Sequence, residues 1–338
     1  MGFSVKLEED ILFFPTAANY NPRLGVWEIP IHGQIFEKEE KSWIRKIFIK
    51  SLRKTLDIPK NTQYSSHFQE RLRWFLVDNQ RWKTVSIKLG EKSYKLKPSR
   101  ANGHFVRKLV LSAQEVEDLL QTKSSIGYQA ILAENDPRIF QGEVSFPKET
   151  GISIVSDIDD TIKYSDVRNK KNLLKNSFLF RFSAIPGMAE FFQQLQQNKV
   201  QFHYVSASPW QLYPLLKDFL QEEGFPKGIF HLKKFRVKDS DFFNLFMPGL
   251  DYKYRSIEPI LQKFPKRRFI LIGDSGEKDP EAYSVIAKRH PQQINKILIR
   301  LAYPEAKSRF EKLFSHLPRE KWQVFSAADE IDRTSLTE

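Results

Sequence analysis

Cysteine is absent from this 338-residue chain. Disulfide frameworks, thiolate nucleophiles and cysteine zinc sites are therefore excluded. The chain also lacks any apolar run near the ~20 residues that a membrane-spanning helix needs. Its first residues include Lys6, Glu8, Glu9 and Asp10, where a secretion signal would need an apolar core. Gly2 invites a myristoylation reading, but the sixth residue is Lys6 rather than Ser or Thr. No repeat and no long low-complexity linker is present. Acids are in deficit, with 41 Asp plus Glu against 54 Lys plus Arg, a net charge of +13. What is abundant is phenylalanine: 28 of them, in a chain that is 41% hydrophobic, which argues for packed cores and against disorder. The length predicts two domains.

The most informative stretch is Ile152-Ser-Ile-Val-Ser-Asp157-Ile-Asp159-Asp160-Thr161-Ile162. An apolar, β-branched run of this kind predicts a buried strand, and it ends at carboxylates spaced two apart. In a parallel α/β sheet, ligands bind just beyond the carboxyl ends of strands. Asp157 and Asp159 are then placed to divide labour, one attacking as a nucleophile and one moving protons. A second unit follows at Arg268-Phe-Ile-Leu-Ile272, which runs into Gly273-Asp274-Ser-Gly-Glu277-Lys-Asp279. Mg²⁺ favours one or two carboxylates plus water and phosphate oxygens, and Asp157 with Asp274 from neighbouring strands fits that preference. Between the two units, Phe202-His-Tyr-Val-Ser206 predicts a strand ending in a hydroxyl, and Lys253 opens a predicted helix. A hydroxyl and an ammonium suit the oxygens of a transferring phosphoryl group.

The order Asp-x-Asp-x-Thr, strand-Ser, Lys, Gly-Asp-x-x-x-x-Asp resembles the four motifs of haloacid dehalogenase superfamily phosphatases. More closely, Ser153-Ile-Val-Ser-Asp-Ile-Asp-Asp-Thr-Ile162, Ile185-Pro-Gly-Met188, Phe202-His-Tyr-Val-Ser-Ala-Ser-Pro-Trp-Gln-Leu-Tyr213 and Leu271-Ile-Gly-Asp-Ser-Gly-Glu277 resemble the actin-patch phosphatidate phosphatase family. The resemblance covers roughly Gly151 to Leu301. It implies a Mg²⁺-dependent phosphatase acting on phosphatidate or a related anionic phospholipid. Asp157 would be the nucleophile that forms an aspartyl-phosphate. Asp159 would protonate the leaving alkoxide and then deprotonate water. The carboxylates of Asp157 and Asp274, with the backbone carbonyl of Asp159, would hold Mg²⁺. Ser206 and Lys253 would hold phosphoryl oxygens, Asp279 would orient Lys253 or a metal-bound water, and Thr161 would brace the loop. Asp160 points elsewhere and reads as structural, and Ser208 is an alternative to Ser206.

Residues 149–330 alternate strand and helix. Helices are expected at Pro186–Asn198, Trp210–Glu223, Lys253–Phe264 and Pro280–Arg289, with further strands at Gly228–Leu232 and Lys296–Arg300. This is the pattern of a doubly wound parallel α/β sheet. Residues 1–148 read as a β-rich domain with two helices. Strands are expected at Ile11–Phe14, Gly25–Ile35, Val85–Leu89, Phe105–Leu111, Gly127–Leu132 and Phe140–Val144, a spacing that suggests an antiparallel sandwich. Trp43, Ile44, Ile47, Phe48 and Leu52 recur at helical spacing, as do Phe68, Leu72, Phe75 and Leu76. Pro147–Gly151 is the expected boundary, and 331–338 is a tail. The gaps from Thr161 to Ser206 and from Ser206 to Lys253 are too short for a large closed cap, so an open site is expected.

Lys163–Arg181 carries six basic residues against one acid, and Lys227–Lys238 adds Lys227, Lys233, Lys234, Arg236 and Lys238. Such runs are often solvated faces, but here they read as a basic rim suited to anionic lipid and, less so, to nucleic acid. Leu173, Leu174, Phe178, Phe180 and Phe182, with Phe242, Phe243 and Leu245 to Pro248, add apolar bulk either for an interface or for core. Asp239 and Asp241 read as a cap rather than a metal site, Trp210 touches substrate or packs, and His203 and His231 read as packed core histidines. The function expected is a phosphatidate phosphatase in the cytoplasm, peripheral at a membrane. Two alternatives stay open: a phosphatase of a soluble or nucleic-acid phosphomonoester, and a non-catalytic basic membrane-docking module.

Overall fold

The computed structural model describes residues 4–38, 43–58, 66–198, 200–234, 250–333 and 336. Outside the described residues lie Gly2, Arg236, Lys238, Asp239, Asp241, Phe242, Phe243 and the Leu245–Pro248 stretch, together with the side chains of Trp43, Ile44, Ile47 and Phe48. The chain divides into two compact units, Met1–Arg45 with Phe75–Glu149 and Lys46–Trp74 with Thr150–Glu338.

Among the described residues, the first unit holds ten strands: β1 (Glu9–Phe14), β2 (Thr16–Ala17), β3 (Asn19–Asn21), β4 (Val26–Glu37), β5 (Asp78–Asn79), β6 (Ser86–Leu89), β7 (Lys92–Lys95), β8 (His104–Ser112), β9 (Ser125–Ile131) and β10 (Gln141–Ser145). The long β4 pairs with β1 and β3 and also with β5 and β8, and a second sheet runs β2-β10-β9-β6-β7. Alternation explains the core: β9 buries Ile126, Tyr128 and Ala130 and exposes the residues between them. These meet Ile29, Ile31 and Ile35 of β4 and Phe105, Leu109 and Leu111 of β8 in one apolar cluster. The sheets are mostly antiparallel, as expected, but β2 joins β10 in parallel through Thr16 and Ala17.

In the chain, α1 (Trp43–Leu56) and α2 (Ser66–Phe75) follow β4, and α3 (Ala113–Leu120) follows β8. The sequence places α1 and α2 in the N-terminal domain; most of both falls within the second unit. Local chemistry there accounts for it. Arg71 of α2 donates to the carbonyl of Asn176 at 3.2 Å, and its guanidinium lies 4.0 Å from the Phe182 ring centre.

The second unit holds a six-stranded sheet of β11 (Gly151–Ser156), β12 (Gln201–Pro209), β13 (Ile229–Lys233), β14 (Arg267–Asp274), β15 (Ile294–Arg300) and β16 (Trp322–Phe325). Its order is β13-β12-β11-β14-β15-β16, and every pair is parallel. Helices α4 (Lys170–Phe178), α5 (Met188–Gln196), α6 (Tyr213–Glu222), α7 (Leu250–Lys263), α8 (Asp279–Arg289) and α9 (Lys307–Leu313) intervene. Both sheet faces are covered. Phe192 of α5 stacks on Phe202 and Tyr204, while His203, which faces the other way in a strand, meets Phe264 at the end of α7. No described helix is long and apolar enough to cross a membrane.

Candidate active site

The order of the strands places the chemistry. β11 lies between β12 and β14, so the ends that carry Asp157, Ser206 and Asp274 are neighbours. The Asp157 N–H donates to the Ile272 carbonyl at 2.9 Å, which carries the pairing one residue beyond β11. Tyr252 then sets the start of α7. Its hydroxyl donates to the Ser206 carbonyl at 2.8 Å, and the next residue, Lys253, turns inward.

Two clusters result. In the first, Lys253 contacts Asp157 Oδ1, lies 2.9 Å from Asp279 Oδ1 and 3.3 Å from Glu277 Oε2. Oxygens of Asp157, Asp274 and Asp279 lie within 4.8 Å of one another. Gly273 makes this approach possible, because a Cβ there would collide with the Asp279 carboxylate. The carboxylate oxygen Asp279 Oδ2 accepts the Asp274 N–H at 3.3 Å. Asp274 Oδ1 accepts the N–H groups of Gly276 and Glu277 at 2.5 and 3.2 Å. Its other oxygen, Oδ2, is buried with no hydrogen-bond partner among the described residues. Burial raises the acid pKa values of Asp157, Asp274, Glu277 and Asp279, with Lys253 opposing it. Lys253 is raised as well, for the opposite reason. Burial would lower it, but Asp157, Asp279 and Glu277 hold it well above its ordinary value. One ammonium does not offset four buried carboxylates. An all-oxygen donor set with excess negative charge and one orphaned oxygen fits a hard divalent cation such as Mg²⁺.

The second cluster is centred on Asp159. Its Oδ1 lies 2.8 Å from Lys163 Nζ and accepts the Ser165 hydroxyl at 2.7 Å. Its Oδ2 accepts Ser206 at 2.9 Å and Ser208 at 3.0 Å. Burial alone would raise this carboxyl, but Lys163 and then the hydroxyls lower it to about 2. Ser206, expected to reach phosphoryl oxygens, thus rests on Asp159. Thr161, expected to brace the loop, donates to Asp157 Oδ2 at 3.2 Å. Asp160 does the bracing. It adopts φ 53° and accepts the N–H groups of Ser165, Asp166 and Val167 at 2.8, 2.9 and 2.7 Å.

Lys163 is a correction to the basic rim. It is 1% exposed, because the chain folds back through bridges from Asp159 to Lys163 and from Lys163 to Ala184. Lys170, Lys171 and Arg181 are exposed, Lys175 is half-buried, and Leu173, Leu174, Phe178 and Phe182 are core. Tyr164 and Phe180 stay exposed, at 51% and 53%. Trp210 is buried, as are His203 and, in part, His231, which meet at 3.2 Å. Of the site groups found here, Ser165 and Glu277 were given no role by the sequence, and Lys163 was given only a place in the rim. Lys163 and Ser165 follow Thr161 in the same loop, and Glu277 sits inside the motif that contains Asp274.

Residues 152–301 match the family described as phosphatidate phosphatase APP1, catalytic domain. The C-terminal half resembles that family. The chain is 36% identical over 189 residues to the phosphatidate phosphatase APP1 of Saccharomyces cerevisiae, an overlap covering 54% of this chain and 32% of the relative. It is 27% identical over 206 residues to an uncharacterized protein of Schizosaccharomyces pombe, covering 60% of this chain and 34% of that one. The chain therefore spans about a third of the length of these curated relatives. Among solved structures, a β-glucuronidase of Parabacteroides merdae aligns at 8% identity, covering 87% of this chain and 34% of that one, with a TM-score of 0.25. That likeness carries no fold argument.

Proposed function

We propose that the chain is a haloacid dehalogenase-type, Mg²⁺-dependent phosphomonoesterase that converts phosphatidate to diacylglycerol and phosphate. The observation that carries this reading is the meeting of Asp157, Asp274 and Asp279 around Lys253 at the ends of adjacent parallel strands, within the segment that matches a phosphatidate phosphatase catalytic domain.

In this mechanism an oxygen of Asp157 attacks phosphorus, and the bond to the leaving alkoxide breaks. Lys253 positions Asp157 and offsets the repulsion between a carboxylate and a phosphate. Asp159 gives a proton to the alkoxide. Water then attacks the aspartyl-phosphate, its proton passes to Asp159, and the phosphorus–oxygen bond to Asp157 breaks. The resting environment of Asp159 favours its ionised form, the state that takes the water proton in the second half. The proton it gives the alkoxide is the one taken from water in the preceding turnover, held while Ser206 is turned to the phosphoryl group and no longer donates to the carboxylate. Asp279 orients Lys253, Ser206 turns from Asp159 toward a phosphoryl oxygen when substrate enters, and Asp160 holds the loop. Asp157, Asp274 and the Asp159 carbonyl would hold Mg²⁺, which when bound would neutralise charge on the phosphoryl oxygens. The membrane partner is an anionic lipid surface touched by Lys170, Lys171 and Lys175 with the exposed rings of Tyr164 and Phe180.

The test is phosphate release from phosphatidate micelles, lysophosphatidate, soluble phosphate esters and 3′-phosphorylated oligonucleotides, with and without Mg²⁺. Release from phosphatidate that needs Mg²⁺ and is lost in Asp157→Asn supports the reading. Preference for the oligonucleotides, or full activity in chelator, overturns it.

A further inference from the structure

The two oxygens of Asp159 have different company. Oδ1 is held by Lys163 and Ser165, and Oδ2 by Ser206 and Ser208. Both members of the first pair are buried, and they bond to each other as well as to Asp159. Lys163 also places its ammonium 4.9 Å from the centre of the Phe182 ring. Its main chain is bonded as well, since its N–H donates to the Ile158 carbonyl at 2.9 Å and its carbonyl accepts the Asp160 N–H at 2.7 Å. The second pair sits at the end of β12, where a register shift between Ser206 and Pro209 marks an irregular strand end. Ser206 is also the hydroxyl that the proposed mechanism takes to the phosphoryl group.

We propose that Lys163, together with Ser165, is a positioning residue that anchors Oδ1 of Asp159 and leaves Oδ2 as the oxygen that exchanges protons with substrate and water. The inference rests on the phosphatase reading. When Ser206 turns to the phosphoryl group, the carboxylate loses a donor on Oδ2 and keeps both on Oδ1. Its plane is then set by Lys163 and Ser165 alone on that side. In the hydrolytic half, water oxygen bonds to phosphorus, the water proton goes to Oδ2, and the electron pair of the breaking bond returns to Asp157. A carboxylate free to rotate about its Cβ–Cγ bond would present Oδ2 to that water only part of the time.

The test is pre-steady-state turnover of p-nitrophenyl phosphate with Mg²⁺ by Lys163→Met. An aryl leaving group needs little proton help, so the first half survives and the second slows. The expected result is a burst of nitrophenolate close to one per enzyme, followed by a steady rate lower by about 10²-fold. Phosphoenzyme should be recoverable by acid quench, and KM should not rise. A burst that shrinks in step with the steady rate would mean fewer folded active sites, and it overturns the proposal, as does a rate near that of the unchanged enzyme. Ser165→Ala is the second variant, used if Lys163→Met does not fold. It should show the same burst with a smaller rate loss, and no burst in it overturns the proposal. Lys163→Arg, which keeps a donor, should recover most of the steady rate. Failure of the unchanged enzyme to form any phosphoenzyme removes the phosphatase reading instead. A crystal structure of Lys163→Met then decides the anchor alone, and Asp159 Oδ1 left in place would overturn it.

Discussion

Asp157 and Lys253 form an ion pair whose side chains are 1% and 0% exposed. Such a pair is costly to break on one side, because the group left behind is a buried charge. Here the residue at stake serves three carboxylates at once, since Glu277 and Asp279 share the same ammonium.

Lys253→Met should therefore abolish turnover and lower the stability of the metal-free protein by about 3–5 kcal/mol. Urea denaturation with and without Mg²⁺ checks this. Added Mg²⁺ should recover part of the loss, because it is a second source of positive charge for the same oxygens. A loss below about 1 kcal/mol, the scale of an exposed pair, would count against the arrangement.

Removing a carboxylate should act on the metal rather than on the ion pair. In Asp274→Ala, the thermal shift produced by Mg²⁺ should largely vanish, and activity should need far more Mg²⁺. Ca²⁺ should bind the unchanged protein yet support little turnover, because its larger and looser oxygen shell misplaces the attacking group. Titration of melting temperature against each ion separates the two effects. Equal Mg²⁺ shifts in both proteins would remove Asp274 from the metal site.

The His203–His231 pair predicts an acid limit to stability. Burial pushes His203 well below its ordinary value, and it lowers His231, also by burial first, to about 4. A histidine whose folded pKa is depressed adds stability above its unfolded value near 6.5. That stability is lost as pH falls toward the folded value. Between about pH 6.5 and 4, stability should fall by at most ~1.4 kcal/mol per pH unit for each histidine. The half-buried His231 should contribute less than that. Denaturant melts across this range should be flatter in His203→Phe, and an unchanged slope would show that other groups set the acid limit.

At the rim, neutralising Lys170, Lys171 and Lys175 together should weaken binding to anionic vesicles and lower turnover of vesicle phosphatidate. Turnover of a soluble ester should be spared, and added salt should mimic the change. The effect is bounded, because Lys171 pairs with Asp57 and Arg181 with Glu222. Equal loss on both substrates would place these lysines in the fold or the site rather than at a lipid surface.

Five of the six strands of the parallel sheet were legible because apolar residues dominate their centres, whereas β16, four residues long with Gln323 and Val324 half-buried, was not. β11 buries five consecutive residues after Gly151, so the point where carboxylates replace apolar residues stands out. α4 was not legible. It buries only Leu173, Leu174, Ser177 and Phe178, too few to stand out in a run of Lys and Asn. What starts it is Asn169, whose side chain accepts the N–H groups of Lys171 and Asn172. Lys163 was misread for a related reason. Charge in sequence suggests solvent, and its partner Asp159 is found only once the chain has folded back on itself. In the first unit, β2 and β3 span two and three residues, shorter than any period that could announce a strand.

The adjacency of β11 and β14 also has a consequence for how the acid cluster comes to be assembled. Arg267 at the start of β14 donates to Ser153 of β11 across 114 residues of sequence, and Asp274 reaches Asp157 only after that pairing has formed. Contacts this distant in sequence are slow to form, because the loop between them must close first. During synthesis, β11, β12 and β13 emerge before β14, and at that stage Asp157 has neither Asp274 nor Asp279 beside it. A truncated or half-folded chain therefore lacks the acid cluster altogether, and phosphate release would appear only in molecules that have completed the centre of the sheet.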